Sequence, residues 1–222
     1  MTLAAVIFDF DGVILDSETP EFESHRRIYE RCGVPLAVEE WCEQIGIYVE
    51  GEENRWFRQL CDRSPDAPSR EDYETERRRL FQELLSAEPM RGIRELMQAL
   101  REGGVPTAIA SSAPSRWVVP AAQRIDVASL VNAIVSGDDV VRGKPAPDVY
   151  LEATRRLGVD PSRAVAIEDS GPGIASARAA GLKTVAIPHW LTERHELSAA
   201  DLRVAHAGEL TVERLATLLR QP

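Results

Sequence analysis

Five short apolar runs constrain the fold of this 222-residue chain more than any other feature of its sequence. They are Ala4–Phe8, Val105–Ala110, Val131–Val135, Ala164–Ile167 and Thr184–Ile187. Each has the length of a strand, and none alternates apolar with polar residues. A strand with one wet face alternates, so an unbroken run implies burial on both faces, as in a parallel sheet packed between helices. Helical patterns lie between the runs at Ile93–Arg101, Ser115–Arg124, Pro147–Leu157 and Ile174–Ala180. Gly103–Gly104, Gly158 and Gly181 stand where helices are expected to stop. Strands alternating with helices predict an α/β fold with a doubly wound, Rossmann-like parallel-sheet core.

The stretch from Ser17 to Glu88 breaks this rhythm. It holds no strand-like run, and helical patterns cover Pro20–Arg31, Val38–Ile45, Glu52–Cys61 and Arg70–Leu85, with breaks at Gly33–Pro35 and Ser64–Ser69. The expected organisation is a core of residues 1–16 and 89–222 interrupted by an all-helical cap domain, residues 17–88. Hinges are expected near Ser17–Pro20 and Ala87–Pro89.

Charge narrows the possible partners. The formal net charge is −10 and no dense basic tract exists, which argues against a nucleic-acid partner. No apolar run approaches the ~20 residues of a membrane span, and the N-terminus lacks the basic start of a signal peptide. The expectation is a cytoplasmic monomer acting on a small molecule, with no membrane partner. Cys32, Cys42 and Cys61 show no metal-type spacing and read as reduced thiols. Of the 26 basic residues only two are lysines, Lys144 and Lys183. Where arginine is the default cation, a lysine hints at a place that needs a compact ammonium.

The residues that close the apolar runs carry the chemistry. The first run ends at Asp9, the second at Ser111, the fourth at Glu168-Asp169. Parallel strands point the same way, so these ends gather at the one sheet edge where open α/β folds bind ligands. Clustered acids raise one another's pKa unless a cation neutralises them, and a carboxylate-lined site suits Mg2+. Any one of these acids could simply cap a helix; Asp9-x-Asp11-Gly12 together with Glu168-Asp169 needs a shared explanation. Asp9 could attack phosphorus. Asp11, carried back over the site by a turn at Gly12, could serve as acid and base. Ser111 would hold phosphate oxygens, and Lys144 would add a point charge for the transferring group.

The segments DFDGVILDSE, IASSA, GKPAPDVY and IEDSGPGIASARAAG, in this order, resemble the four motifs of the haloacid dehalogenase (HAD) superfamily, in the subgroup with a helical cap. The likeness spans essentially the whole chain. It implies Asp9 as nucleophile, Asp11 as acid/base, and Ser111, Ser112 and Lys144 as phosphate ligands. It also implies Mg2+ held by the Asp9 side chain, the Asp11 carbonyl, Glu168 and Asp169, and places Asp16 in the flap that leads to the cap. The expected substrate is a small phosphomonoester such as a sugar phosphate, hydrolysed through an aspartyl-phosphate.

The β-phosphoglucomutase-like branch of that superfamily is the most similar, and it holds mutases as well as phosphatases. Where the mutases carry a histidine after the first motif, this chain has Glu21. The position of their cap arginine falls near Val49, beside Glu50. Both departures favour hydrolysis over a phosphosugar mutase. A dehalogenase would need neither Asp11 nor the second acid pair. A receiver domain would carry its acceptor Asp after the third strand. Trp41, Trp56 and Phe57 read as core of the helical segment, His25 as a surface or half-buried helix residue, and His189, His195 and His206 as bland. Asp138-Asp139 are expected to support the Lys144 loop.

Overall fold

The computed structural model describes residues 2–43, 45 and 55–220. Six strands form one parallel sheet: β1 (Ala5–Phe8), β2 (Thr107–Ala110), β3 (Ala133–Val135), β4 (Ala164–Glu168), β5 (Lys183–Ala186) and β6 (Leu202–Arg203). Their spatial order is β3-β2-β1-β4-β5-β6. β1 lies in the middle, with Val6 in register with Thr107 on one side and Val165 on the other.

The unbroken apolar runs are explained by two cores. Successive side chains of a strand point to opposite faces. Val6, Phe8, Ile109, Val165, Ile167 and Val185 face helices α5 (Ile93–Glu102), α6 (Ser115–Arg124) and α9 (Val212–Leu218). Ala5, Ile7, Ala108, Ala110, Ala164 and Ala166 face α7 (Asp148–Leu157) and α8 (Gly171–Ala179). The second face is floored mainly by alanines, which leaves room for the fully buried ring of Tyr150. Burial of both faces by apolar side chains, at roughly 25 cal/mol per Å2 removed from water, holds the strands in place.

Helices α1 (Glu18–Arg31), α2 (Val38–Cys42), α3 (Arg55–Arg63) and α4 (Arg70–Leu84) interrupt the core between β1 and α5. They bury a cluster of their own, including Phe22, Tyr29, Trp41, Leu60, Tyr73 and Leu80. Trp41 stacks on Trp56, with ring centres 4.8 Å apart, so these rings are packing elements as expected. Leu191, fully buried, joins the cluster from the segment after β5. The two chain crossings lie side by side, because the Met90 N–H donates to the Ile14 carbonyl at 2.8 Å.

Sequence and structure differ at a few places. β6 and α9 carry no pattern strong enough to predict; a two-residue edge strand has no periodicity to read. α8 starts at Gly171, not Ile174, because Ser170 caps it and Pro172 sits in its first turn, where a missing N–H does no harm. His25 is buried, and its Nδ1 meets the Tyr73 hydroxyl. The hydrogen bonds of Asp138 and Asp139 go elsewhere than to Lys144. Asp138 accepts from Ser115 at the start of α6, and Asp139 from Ser136 and Arg156. Lys144 is instead tied to Ser112, whose Oγ accepts from the Lys144 N–H at 3.0 Å. All three cysteines are free. No described helix is long and apolar enough to cross a membrane.

Candidate active site

The strand order reverses between β1 and β4, and a crevice opens at the carboxyl ends of these two neighbours. Asp9 follows the last residue of β1; Glu168 closes β4 and Asp169 follows it. The three side chains offer oxygen atoms within 4.8 Å of one another, and all three are buried. Lys144 reaches between two of them. Its Nζ donates to Asp9 Oδ1 at 2.5 Å and to Glu168 Oε1 at 2.6 Å.

Two glycines make the crowding possible. A Cβ on Gly12, at φ +80°, would lie 2.5 Å from Asp169 Oδ2. A Cβ on Gly173 would lie 2.0 Å from Glu168 Oε2. The positive φ also lets the chain turn after Asp11, since a side chain disfavours that conformation. The turn closes with the Gly12 N–H donating to the Leu15 carbonyl. It returns Asp11 over the crevice, where Oδ1 accepts from Ser17 Oγ at 2.6 Å and from the Trp117 indole at 2.9 Å. Ser111 Oγ lies 3.4 Å from Asp11 Oδ2.

The electrostatics follow from burial. Burial pushes Asp9 up to about 7, against the pull of Lys144, with Glu168 and Asp11 adding to the rise. Burial also raises Asp11, although its donors Ser17 and Trp117 oppose the shift. Asp169 stands well above the ordinary carboxylate range, because it is buried beside Asp9 and Glu168. Burial alone would lower Lys144, but Asp9 and Glu168 outweigh it and hold the ammonium protonated. Tyr150, which donates to Glu168 Oε1 at 2.5 Å, is raised by burial and then by that carboxylate.

The donor set fits a hard divalent cation. Three buried carboxylates lie together, one ammonium pairs with only two of them, and all the donors are oxygen. Asp9 and Asp169 are better placed to give oxygens than Glu168. Glu168 Oε1 already accepts from Lys144 and Tyr150, and Oε2 from the Asp169 N–H and Ser170.

The crevice is about 460 Å3 and is lined by Asp9, Asp11, Ser111, Ser112, Lys144 and Asp169 from the core, and by Glu18, Glu21 and Ile45 from the helical insert. All the site residues expected from sequence except fully buried Glu168 line it, and Glu168 lies directly behind through Lys144. Val49 and Glu50 lie outside the described residues. Sequence reasoning did not single out Trp117, Tyr150, Ser17 and Thr192, the last of which donates to Asp169 at 3.2 Å. Tyr150 had a signal, since it ends the segment GKPAPDVY. Ser17 had the same kind of signal, since it lies within DFDGVILDSE, whereas Trp117 and Thr192 are brought in by packing alone. Asp16 accepts from the Thr19 N–H at 3.0 Å and lies 3.1 Å from His189 Nε2, so it joins the start of α1 to the segment after β5.

Residues 3–181 match the haloacid dehalogenase-like hydrolase family. A phosphorylated carbohydrates phosphatase of Thermotoga maritima is 33% identical over 82% of this chain and 84% of its own length. The N-acetylmuramic acid 6-phosphate phosphatase of Pseudomonas aeruginosa is 32% identical over 95% and 94%. A HAD family hydrolase from Deinococcus radiodurans, crystallised with phosphate and sodium, superposes with a TM-score of 0.74 at 26% identity, covering 100% of this chain and 99% of that one. The chain belongs to the haloacid dehalogenase-like hydrolase family. Within it, the chain is a phosphoric monoester hydrolase.

Proposed function

We propose that this enzyme is a Mg2+-dependent phosphatase that cleaves a small phosphomonoester through an aspartyl-phosphate on Asp9. The observation that carries the reading is the pairing of two unlike carboxyls in one crevice. Both are raised by burial, but Asp9 accepts from the Lys144 ammonium, which favours its ionised form. Asp11 has no cationic hydrogen-bond donor among the described residues and accepts from Ser17, Trp117 and Ser111. A nucleophile with an ammonium beside it, next to a carboxyl raised above its ordinary range, suits the nucleophile and acid/base roles of two-step phosphate transfer.

In the first step an Asp9 oxygen attacks phosphorus, and the bond to the leaving oxygen breaks. Asp11 donates its proton to that oxygen. In the second step Asp11 takes a proton from water, which attacks the phosphoryl group and frees Asp9. Ser111, Ser112 and Lys144 hold phosphoryl oxygens. Asp9, Asp169 and Glu168 would hold Mg2+, with the Asp11 carbonyl. Bound there, the ion would screen the substrate's charge from the carboxylates and polarise the phosphoryl group. Helices α1–α4, residues 17–88, act as a cap over the core of residues 1–16 and 89–222 and cover the leaving group.

Hydrolysis is preferred to a mutase reaction because Glu21, at the place of the mutase histidine, is an acid held by Arg77. The names of the curated relatives support phosphorylated carbohydrates as the substrate class. The test is phosphate release by the purified protein with Mg2+ from a panel of phosphomonoesters. Release is expected, and Asp9→Asn should abolish it. No Mg2+-dependent release, with conversion of β-glucose 1-phosphate to glucose 6-phosphate under a bisphosphate primer, would overturn the hydrolase reading.

A further inference from the structure

Beyond the crevice lies a second cavity of about 710 Å3, between α1, α4 and the start of α6. Asp11, Glu18 and Glu21 line both. The phosphate reacts at Asp9, and Asp11 meets the leaving oxygen. Whatever is attached to that oxygen therefore passes Asp11 and meets Glu18 and Glu21 next.

Glu18 and Glu21 lie three residues apart and so share one face of α1. Glu21 is fixed. Arg77 Nη1 donates to both its oxygens, at 3.0 and 2.9 Å, and His25 Nε2 lies 3.3 Å from Oε1. His25 is itself buried against Trp41 and Trp56 and bonded to Tyr73. Arg77 is also held by Glu74. A side chain that would otherwise wander is thus pinned, with 36% of its surface exposed. An ionised carboxylate has about four acceptor sites. The clamp takes some of them, and the remainder face the cavities.

We propose that Glu21, clamped by Arg77 and His25, reads hydroxyl groups on the leaving group, so that the enzyme selects polyhydroxylated phosphomonoesters over those with a second anionic group. This deepens, and rests on, the phosphatase reading above. Hydroxyls donate to carboxylates, whereas a carboxylate or second phosphate at this point would meet the ionised Glu21 carboxylate, whose Arg77 partner is already engaged by it and by Glu74. The pair is not a further cation site, since among the described residues only Asp9, Glu168 and Asp169 form a cluster able to hold a metal. Arg77, Arg78 and Arg116 also line the outer cavity, but Arg77 is engaged by Glu21 and Glu74, and Arg78 and Arg116 are exposed.

The test measures kcat and KM with Mg2+ for glycerol 3-phosphate and sorbitol 6-phosphate, for propyl phosphate as the analogue lacking hydroxyls, and for phosphoglycolate as the anionic analogue. The parent enzyme should prefer the polyol phosphates to propyl phosphate and phosphoglycolate by roughly 10- to 100-fold in kcat/KM, the range of hydrogen bonds to a charged group. Glu21→Ala should collapse that ratio, mainly through KM, and Glu21→Gln, which keeps one acceptor oxygen, should fall between. Circular dichroism checks that both variants are folded. Preference for phosphoglycolate would overturn the proposal and assign the outer arginines instead. An equal loss on every substrate, or an unchanged ratio, would also overturn it. Activity on propyl phosphate without polyol preference sinks this proposal alone; no phosphate release from any substrate sinks the phosphatase reading with it.

Discussion

Substituting alanine for a helical glycine ordinarily stabilises a protein by roughly 0.5–1 kcal/mol, because the glycine has more freedom to lose. Gly173 in the first turn of α8 should do the opposite. Its added Cβ would lie 2.0 Å from a Glu168 carboxylate oxygen. That carboxylate would have to retreat by roughly 1.4 Å to regain ordinary van der Waals contact. It has nowhere to go, because Glu168 is fully buried and bound by Lys144, Tyr150, Ser170 and the Asp169 N–H. Breaking a buried ion pair costs about 3–5 kcal/mol, and alanine returns about 1 kcal/mol of helix propensity. The net loss is about 2–4 kcal/mol. For a chain of this size that lowers Tm by roughly 4–16 °C. The displaced pair also drags Lys144 off Asp9, and misplacement by about 1 Å costs on the order of 100-fold in rate. Differential scanning fluorimetry and phosphate release measure the two effects. A Gly173→Ala protein that melts at or above the parent, with the parent's kcat, would refute the account of how Glu168 is seated.

Three further outcomes are expected. Leu191→Ala should cost about 2–5 kcal/mol in urea unfolding, because a fully buried side chain in the insert's own core leaves a cavity; a loss under about 1 kcal/mol would show that the segment after β5 does not anchor the helices. Glu18 is pushed up from 4.5 to about 8, first by burial and then by Asp11 and Glu21. The folded protein keeps a proton that the unfolded chain releases, so this group's contribution is full below pH 4.5 and is lost as pH rises toward 8. Glu18→Gln should therefore flatten the fall in stability across that window, and an unchanged slope would count against it. The Trp117 indole favours the ionised form of Asp11, so Trp117→Phe should move the limb of the kcat/KM profile that reports Asp11 to higher pH; an unmoved limb would mean that the contact does not set this pKa.

Much of the catalytic crevice was legible because a parallel sheet turns order in sequence into position in space. Asp9, Ser111 and Glu168-Asp169 each follow or close an apolar run, and parallel strands deliver such residues to one edge. Lys144 was legible by scarcity, in a chain that otherwise uses arginine. His25 is more deeply buried than the surface or half-buried place its mid-helix position suggests, because a histidine within a polar helix face gives no sign of the tryptophans that close over it. Adjacency in sequence suggests that Asp138-Asp139 support the next loop, whereas their oxygens turn to Ser115, Ser136 and Arg156.

By itself the sequence determined the alternation of strands and helices, the doubly covered sheet and the acids at its edge, since these depend on local periodicity and on where each run ends. Tertiary structure alone decided which groups tune those acids. Trp117 and Ser17 come to Asp11, Tyr150 to Glu168, Thr192 to Asp169, and Arg77 with His25 to Glu21. Most of these partners lie on other elements, far apart along the chain, and such contacts arise only when helices pack on the sheet and on one another. Periodicity records which face a side chain takes, and packing decides what waits on the other side.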